Sequence, residues 1–244
     1  MLSGALPATA WTPASQQAIA AQAARLAPPD LAEQLVRHAR ELAQGAVAPF
    51  RDSDPSRHYL NEDGSGRLDR AFADEVAGAV AALRTFRPFS EVANRLGRVS
   101  HFAADLNNPL DASDADAEEG RYFKDFLQYA DSARPRFAVV LYENVPTVAD
   151  GGGLRRLEAD ALARDRELYP LVGREYRRID FADGRRLFDD RSTAFGVAAL
   201  SYSHAVTDAA RVFRYIWLLA GGSDPRAVLD RPRDLVLLVE PTAP

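Results

Sequence analysis

Residues 101–111 of the chain read HFAADLNNPLD, which combines the end of a predicted helix with two side chains that can bind a metal ion. Residues four apart lie on one face of a helix, so the His101 imidazole and the Asp105 carboxylate can converge on a single ion. Pro109 cannot continue a helix and marks its end. The pattern therefore predicts a helix over about residues 90–106 that carries both side chains near its C-terminus.

Helical periodicity of apolar residues recurs along the chain, whereas strand-like alternation persists nowhere. The predicted helices cover approximately residues 14–27, 30–45, 68–86, 90–106, 119–131, 154–178 and 190–220. No repeat or linker divides the chain, and the three glycines at 151–153 are more typical of a loop inside a domain than of a boundary. The sequence predicts one all-α domain, a helical bundle over residues 11–244.

Composition narrows the chemistry that this domain can carry. The chain has 244 residues, a net charge of −5 at pH 7 and no cysteine. The net negative charge does not favour binding to nucleic acid or to an anionic membrane surface. No apolar stretch is long enough for a transmembrane segment. Without cysteine, a transition metal would be held by His, Asp and Glu, and these ligands suit zinc or manganese.

The first ten residues are predicted to be a leader or the remnant of a signal peptide. The triplet Ala8-Thr9-Ala10 has the small-x-small form of a signal-peptidase site. No charged region or full apolar region precedes it, so two interpretations stay open: a disordered leader, or the end of a longer secretory signal. The second interpretation predicts a secreted or periplasmic protein.

A third imidazole lies in the loop before a predicted helix. His58 follows two acidic residues, Asp52 and Asp54, in the segment DSDPSRH. Together with His101 and Asp105, it would complete a four-ligand zinc site in which one of the two loop carboxylates is the fourth ligand. Spacing alone leaves an alternative open, since a His/Asp pair on one helix face is also found solvated or hydrogen-bonded without a metal.

The run that begins at His101 resembles the His-x3-Asp-x3-Pro-x-His run of zinc-dependent phospholipases C and P1/S1-type nucleases, although its last position is Asp111 here. The preceding residues 96–100, LGRVS, are similar to the family's Leu-Gly-x-x-x-His approach. His58 stands where the family has an earlier histidine ligand. The resemblance covers about residues 11–220, and it implies an all-α fold with three zinc ions bound in a cleft.

The resemblance implies that one of the three zinc sites is retained in this chain. Its ligands would be His58, His101 and Asp105, together with Asp52 or Asp54. We therefore expect about one zinc ion rather than three.

The ligands of the second ion are altered. Asp111 replaces a histidine, and the family's next pair, His-x3-Glu/Asp, is Arg121-x3-Asp125 here. Asp111 and Asp125 still offer oxygen atoms, whereas the Arg121 guanidinium has no lone pair to offer. Arg121 would instead supply positive charge to a phosphoryl group, or it would pair with Asp125 or Asp111.

The third ion of the family uses an N-terminal Trp and a nearby His. Trp11 follows the predicted cleavage site directly, but Gln16 stands where the histidine would be. Glutamine is a weak zinc ligand, so the resemblance implies that this third site is compromised.

Two functions follow from the resemblance. The first is a metal-dependent phosphoric ester hydrolase, a phospholipase C-like phosphodiesterase that acts on a phosphodiester or a phospholipid. Its catalytic residues would be Arg121 and one of the loop carboxylates, Asp52 or Asp54, as a base. The alternative is a catalytically silent relative, in which the metal stabilises a binding or structural module.

Overall fold

The computed structural model describes residues 11–141, 148 and 150–224. Within these residues the chain forms α-helices and short 3-10 turns but no strand, which confirms the predicted all-α class. The helices are α1 (Pro13–Leu26), α2 (Pro29–Arg37), α3 (Ala39–Val47), α4 (Leu68–Arg84), α5 (Phe89–Asp105), α6 (Glu119–Ala133), α7 (Gly151–Arg178), α8 (Gly184–Leu187) and α9 (Thr193–Leu219). The predicted leader, residues 1–10, and the last twenty residues of the predicted domain, 225–244, lie outside the described residues.

The predicted helix over residues 30–45 is in fact two helices, α2 and α3, which meet at His38. The His38 backbone leaves the helical range at φ −111° and ψ 32°. Neither Gly nor Pro stands at this junction. The apolar periodicity continues through it, so the sequence predicts one helix where the structure has two. None of the described helices is both long and apolar enough to cross a membrane.

Side-chain caps explain where the two longest helices begin. The Asp150 side chain accepts a hydrogen bond from the Gly153 amide, and Ser192 does the same for Phe195. Such caps satisfy backbone N–H groups that have no partner within the helix. The glycines at 151–153 therefore form the first turn of α7.

Helix α5 lies at the centre of the fold, packed against α1, α3, α4 and α9. Its closest neighbour is α3, because Gly45 and Gly97 let the two backbones approach each other directly. A Cβ atom added at Gly97 would overlap the carbonyl oxygen of Leu42, and one added at Gly45 would overlap that of Asn94. This contact places the end of α3 against the C-terminal half of α5, which carries His101 and Asp105.

Candidate metal centre

Three side chains from two parts of the chain converge in the interior. His101 and Asp105 lie in the last turns of α5, and His58 ends the 3-10 turn Pro55–His58. The His58 Nδ1 atom lies 2.8 Å from Asp105 Oδ2, and His101 Nε2 lies 3.3 Å from each of these two atoms. Among the residues that the structure describes, no other three His, Cys, Asp or Glu side chains converge in this way.

The separations of these three atoms suit a tetrahedral ion. Zinc bonds of about 2.0–2.1 Å to nitrogen and oxygen imply ligand-to-ligand separations of about 3.3 Å. Two of the separations have this value and the third, 2.8 Å, is shorter. Two imidazole nitrogens and one carboxylate oxygen form a ligand set that zinc favours, so the residues present fit this metal.

The His101 ring is oriented by the contact between α3 and α5. Its Nδ1 atom lies 2.8 Å from the carbonyl oxygen of Ala46, which can only accept a hydrogen bond. Nδ1 is therefore the donor, and in the neutral ring the lone pair of Nε2 faces His58 and Asp105. A backbone carbonyl that fixes the tautomer in this way is the usual outer partner of a metal-binding histidine.

The His58 ring is held by its turn and by an aromatic neighbour. Asp54 caps the turn by accepting a hydrogen bond from the Ser56 amide at 3.1 Å. The imidazole stacks on Phe102, with ring centroids 5.5 Å apart. Both contacts orient Nδ1 of His58 towards Asp105.

The two halves of this cluster shift each other's protonation in opposite directions. Burial lowers the pKa of His58, but the hydrogen bond and negative charge of Asp105 outweigh it, so the pKa is raised above 6.5. Burial raises the pKa of Asp105, but the charges and hydrogen bonds of His101 and His58 lower it further than burial raises it. These shifts favour a carboxylate beside a protonated imidazole, so a metal ion would compete with a proton for the cluster.

Gln16 on α1 fixes the second oxygen of Asp105. Its Nε2 donates a hydrogen bond to Asp105 Oδ1 at 3.0 Å, in a position with no solvent exposure. The neighbouring Trp11 ring donates from Nε1 to the carbonyl oxygen of Ala104 at 3.0 Å. These two side chains, which the resemblance linked to a third ion, here attach the start of the fold to α5 and orient Asp105.

The two loop carboxylates predicted as a fourth ligand lie outside the converged group. Asp52 forms ion pairs with Arg57 and, at 3.8 Å, with Arg98. Asp54 pairs with Arg67 and caps the turn of His58. Both residues are close to His58 in the sequence, but residue spacing does not indicate the arginines that pair with them.

Arg121 and Asp125 also make their contacts elsewhere. Arg121 is exposed, with its guanidinium 2.8 Å from Glu118 and 3.6 Å from the centre of the Phe181 ring. Asp125 accepts hydrogen bonds from the Tyr176 hydroxyl and the Gly184 amide. Arg121 therefore pairs with Glu118, which immediately precedes α6, and not with Asp125 or Asp111 as expected.

Asp111 is fully buried, in the 3-10 turn Pro109–Asp111 that follows α5. Neither of its carboxyl oxygens has a hydrogen-bond partner. Burial raises its pKa well above the ordinary value, and the charges of Asp105, Glu119 and Asp165 raise it further. Sequence reasoning missed Asp165, because it is one of many charged residues on the helix predicted over 154–178 and nothing marks it as buried.

The fold is similar to that of a solved structure, the alpha-toxin of Clostridium perfringens from avian strain SWCP. The superposition has a TM-score of 0.62 at 12% sequence identity, and it covers 86% of this chain and 65% of the toxin chain. This chain therefore spans slightly less than two thirds of the toxin. No protein-family model and no curated protein sequence matches the chain. At this identity the likeness establishes a shared fold, whereas function has to be argued from the site.

Proposed function

We propose that the protein is a phospholipase C-like, metal-dependent phosphoric ester hydrolase with one zinc ion held by His58, His101 and Asp105. The observation that carries this proposal is the convergence of two imidazole nitrogens and one carboxylate oxygen within 2.8–3.3 Å. The resemblance of the run from Leu96 to Asp111 and the fold shared with the clostridial alpha-toxin support it.

The number of protein ligands favours a catalytic rather than a purely structural ion. Catalytic zinc sites have three protein ligands and one open position, whereas structural sites are closed by four. When bound, zinc supplies Lewis-acid polarisation of a phosphoryl oxygen and lowers the pKa of coordinated water. The three side chains that we assign match the first pattern.

The protein's own residues prepare this centre in two ways. Ala46 accepts the Nδ1 proton of His101, which leaves Nε2 free to bind. Gln16 holds Asp105 Oδ1, so that Oδ2 faces the two imidazoles. Such outer contacts preorganise the ligands and reduce the reorganisation that binding requires.

Asp52 is the better of the two candidate bases for an attacking water. Its charge reaches His58, whose pKa it raises, whereas Asp54 is engaged in capping the turn and in pairing with Arg67. Arg57 and Arg98 fix the position of the Asp52 side chain. We assign no catalytic role to Arg121, because its contacts are with Glu118 and Phe181 at the surface.

One observation favours a second candidate function, a silent, metal-stabilised module. All three ligand side chains are buried, none more than 3% exposed, so a phosphoric ester would have to enter the interior to reach the ion. A module of this kind would bind zinc for stability and would hydrolyse nothing.

Metal analysis of the purified full-length chain tests both functions. We expect about one zinc per chain, lost in His101→Ala and retained in the control His38→Ala, which removes a partly exposed histidine near Glu41. Absence of zinc from the wild-type protein would refute both functions.

Hydrolysis assays then separate the two functions. We expect the zinc-loaded protein to cleave a chromogenic bis-aryl phosphate, and Asp105→Asn to abolish the reaction. Phosphatidylcholine vesicles and single-stranded DNA, assayed in parallel, identify the natural class of ester. A protein that holds zinc but cleaves none of these substrates is the silent module.

We also propose a secreted or periplasmic location, on the basis of the Ala8-Thr9-Ala10 triplet alone. Expression of the natural gene in its own host, followed by fractionation and N-terminal sequencing, tests this. A mature N-terminus at Trp11 is the expected result.

A further inference from the structure

A groove of about 550 Å³ lies between α4 and α9, beside the first turn of α7. The most buried of the residues that line it are Val76, Val80 and Tyr215, none of them more than 8% exposed. Leu154 of α7 and the half-exposed Leu219 at the end of α9 also line it. The volume is within the range of small-molecule sites in proteins, which are concave and mostly apolar.

Three exposed alanines give the groove its shape. Ala73, Ala77 and Ala81 are four residues apart, so they follow one line along α4. Their short side chains leave the space beside Val76 and Val80 open. From Ala73 to the end of the helix the line is about 16 Å long, at 1.5 Å per residue. This narrow, elongated form suits a linear apolar chain better than a compact ring.

The polar side chains of the groove are concentrated at one end. Apart from the Tyr215 hydroxyl, they are those of Arg84 and Thr85, two consecutive exposed residues at the end of α4. Among the described residues Arg84 forms no ion pair, because the nearest acidic residues in the sequence, Glu75 and Glu91, pair with other arginines. The groove thus has an apolar length and one cationic end.

A backbone contact holds this cationic end in place. Arg84 Nη2 donates a hydrogen bond to the carbonyl oxygen of Leu219 at 2.7 Å. The bond compensates the partial negative charge at the end of α9 and fixes the guanidinium beside the groove. A guanidinium has five N–H donors, so most of them stay available for a further acceptor. Carboxylate is the acceptor that arginine binds with the best geometry.

We propose that this groove binds a linear anionic amphiphile, a long-chain carboxylate, with its chain along α4 and its head group at Arg84. Burial of the chain against Val76, Val80 and Tyr215 would supply most of the affinity, and Arg84 would set the orientation. No residue that lines the groove belongs to the zinc centre. The site is therefore independent of the proposed hydrolysis.

Titration calorimetry with decanoate and dodecanoate, each below its micelle concentration, tests the site on the full-length protein. We expect one molecule per chain, and each added CH₂ group should strengthen binding by up to about fourfold. His101→Ala should lose zinc and still bind dodecanoate. Failure of the groove is thereby distinguishable from failure of the zinc centre.

A variant that fills the groove assigns the binding to it. Ala77→Leu adds a larger apolar side chain at an exposed helix position where leucine is well tolerated, so the fold should persist. We expect it to weaken dodecanoate binding by at least about tenfold, because its side chain takes the space of the ligand chain. The matched control is Ala21→Leu, at an exposed alanine of α1, which should leave binding unchanged.

A second variant tests the head group. We expect Arg84→Gln to weaken decanoate binding by about two- to fivefold and to leave the binding of decanol, its uncharged analogue, unchanged. Arg37→Gln is the matched control, since Arg37 is also an exposed arginine that ends a helix. Phe86→Ser removes an aromatic ring that is 93% exposed but does not line the groove, and it should have no effect on either ligand.

Three results would overturn this proposal. One is the absence of dodecanoate binding to the wild-type protein, the result expected if the apolar run at 235–239 or a second copy of the chain fills the groove. Sedimentation would show a dimer in the latter case. Another is dodecanoate binding that survives both Ala77→Leu and Ala81→Leu, with circular dichroism to confirm that each variant folds. The third is a wild-type protein that binds decanol or decyltrimethylammonium as tightly as decanoate.

Discussion

In two regions of the protein interior, the pKa values of buried carboxyl groups are shifted in opposite directions. In the His58–His101–Asp105 centre, burial and neighbouring charges oppose each other, and the neighbours lower the pKa of Asp105. At Asp111 burial and neighbouring charges act together, and both raise the pKa. The first region holds an anion that is already satisfied by imidazole. In the second, neither carboxyl oxygen of Asp111 has a hydrogen-bond partner among the described residues, and the neutral form is favoured.

The difference teaches that burial alone does not identify the state of a carboxyl group. Asp105 and Asp111 are six residues apart and equally buried, yet the carboxyl group of Asp105 has three polar contacts and that of Asp111 has none. The polar partners of each carboxyl group decide whether its charged form is favoured. This contrast leads to four predictions, ordered from the largest effect to the smallest.

The same substitution should have very different effects in the two regions of the metal-free protein at neutral pH. Asp105→Asn removes the anion from a buried pair, and we expect it to lower the free energy of unfolding by about 3–5 kcal/mol. Asp111→Asn replaces a group with no partner, and we expect a change below about 1 kcal/mol. Chemical denaturation measures both, and equal losses would contradict the contrast.

The contact between α3 and α5 should matter for stability and for zinc. Gly97→Ala places a methyl group on the Leu42 carbonyl, and we expect a loss of about 1–3 kcal/mol, because overpacking moves the backbones apart. Zinc affinity should fall as well, since Ala46 would no longer hold His101 in place.

Gly196→Ala is the matched control for this change. Gly196 lies within α9, and nothing lies within 4 Å of an added methyl group there. We expect a gain of up to about 1 kcal/mol from helix propensity. Unfolding curves and zinc titrations on both variants check the result, and a zinc affinity unchanged in Gly97→Ala would contradict the role of the contact.

Gln16 should contribute to zinc binding without touching the metal. Gln16→Met keeps the side-chain volume and removes the hydrogen bond to Asp105 Oδ1, so we expect a 10- to 100-fold lower zinc affinity. Stability should fall by about 1–2 kcal/mol. Competition with a chelator of known affinity measures the first effect. Gln128→Met, at an exposed position of α6, should change neither quantity.

The two regions should respond to pH in opposite directions in metal-free protein. A raised carboxyl pKa, as at Asp111, contributes stability that is complete below the unfolded pKa of about 3.9 and is lost as pH rises through the folded pKa. A lowered carboxyl pKa, as at Asp105, contributes stability that is present above the unfolded-state pKa and is lost as the pH falls through the folded-state pKa.

Glu119 provides the most accessible case of the first kind, because burial raises its pKa to about 7. The stability that neutral Glu119 contributes should be lost as the pH rises from about 4.5 to about 7. Glu119→Gln should therefore reduce the fall in the free energy of unfolding over this range by about 1 kcal/mol. Denaturation at a series of pH values measures the slope. An unchanged slope in Glu119→Gln would show that the pKa of Glu119 is not raised in the folded protein.

Most helices could be predicted because their signals are local. The apolar period, the proline at 109 and the helix-start residues act within one or two turns, and neighbours in the sequence are sufficient to recognise them. The junction at His38 was missed for the same reason. The backbone leaves the helical range at His38, where neither Gly nor Pro indicates a break.

The candidate site divides in a similar way. The convergence of His101 and Asp105 follows from helical spacing alone, and the resemblance linked His58 to them. The resemblance also implied site roles for Arg121 and Asp125, whereas in the structure Arg121 pairs with Glu118 and Asp125 accepts a hydrogen bond from Tyr176. Spacing shows that two side chains share a helix face but not which neighbour that face meets.

By itself, the sequence determined an all-α chain with two potential metal ligands on one helical face and a histidine-bearing loop before them. The tertiary structure decided which other polar side chains lie near these ligands. It directed Asp52 to two arginines, Gln16 to Asp105, and Asp111 to an interior position where its carboxyl oxygens have no hydrogen-bond partner. The physical reason is that a side chain's protonation and ligands depend on burial and on charges from distant parts of the chain, which only packing brings together.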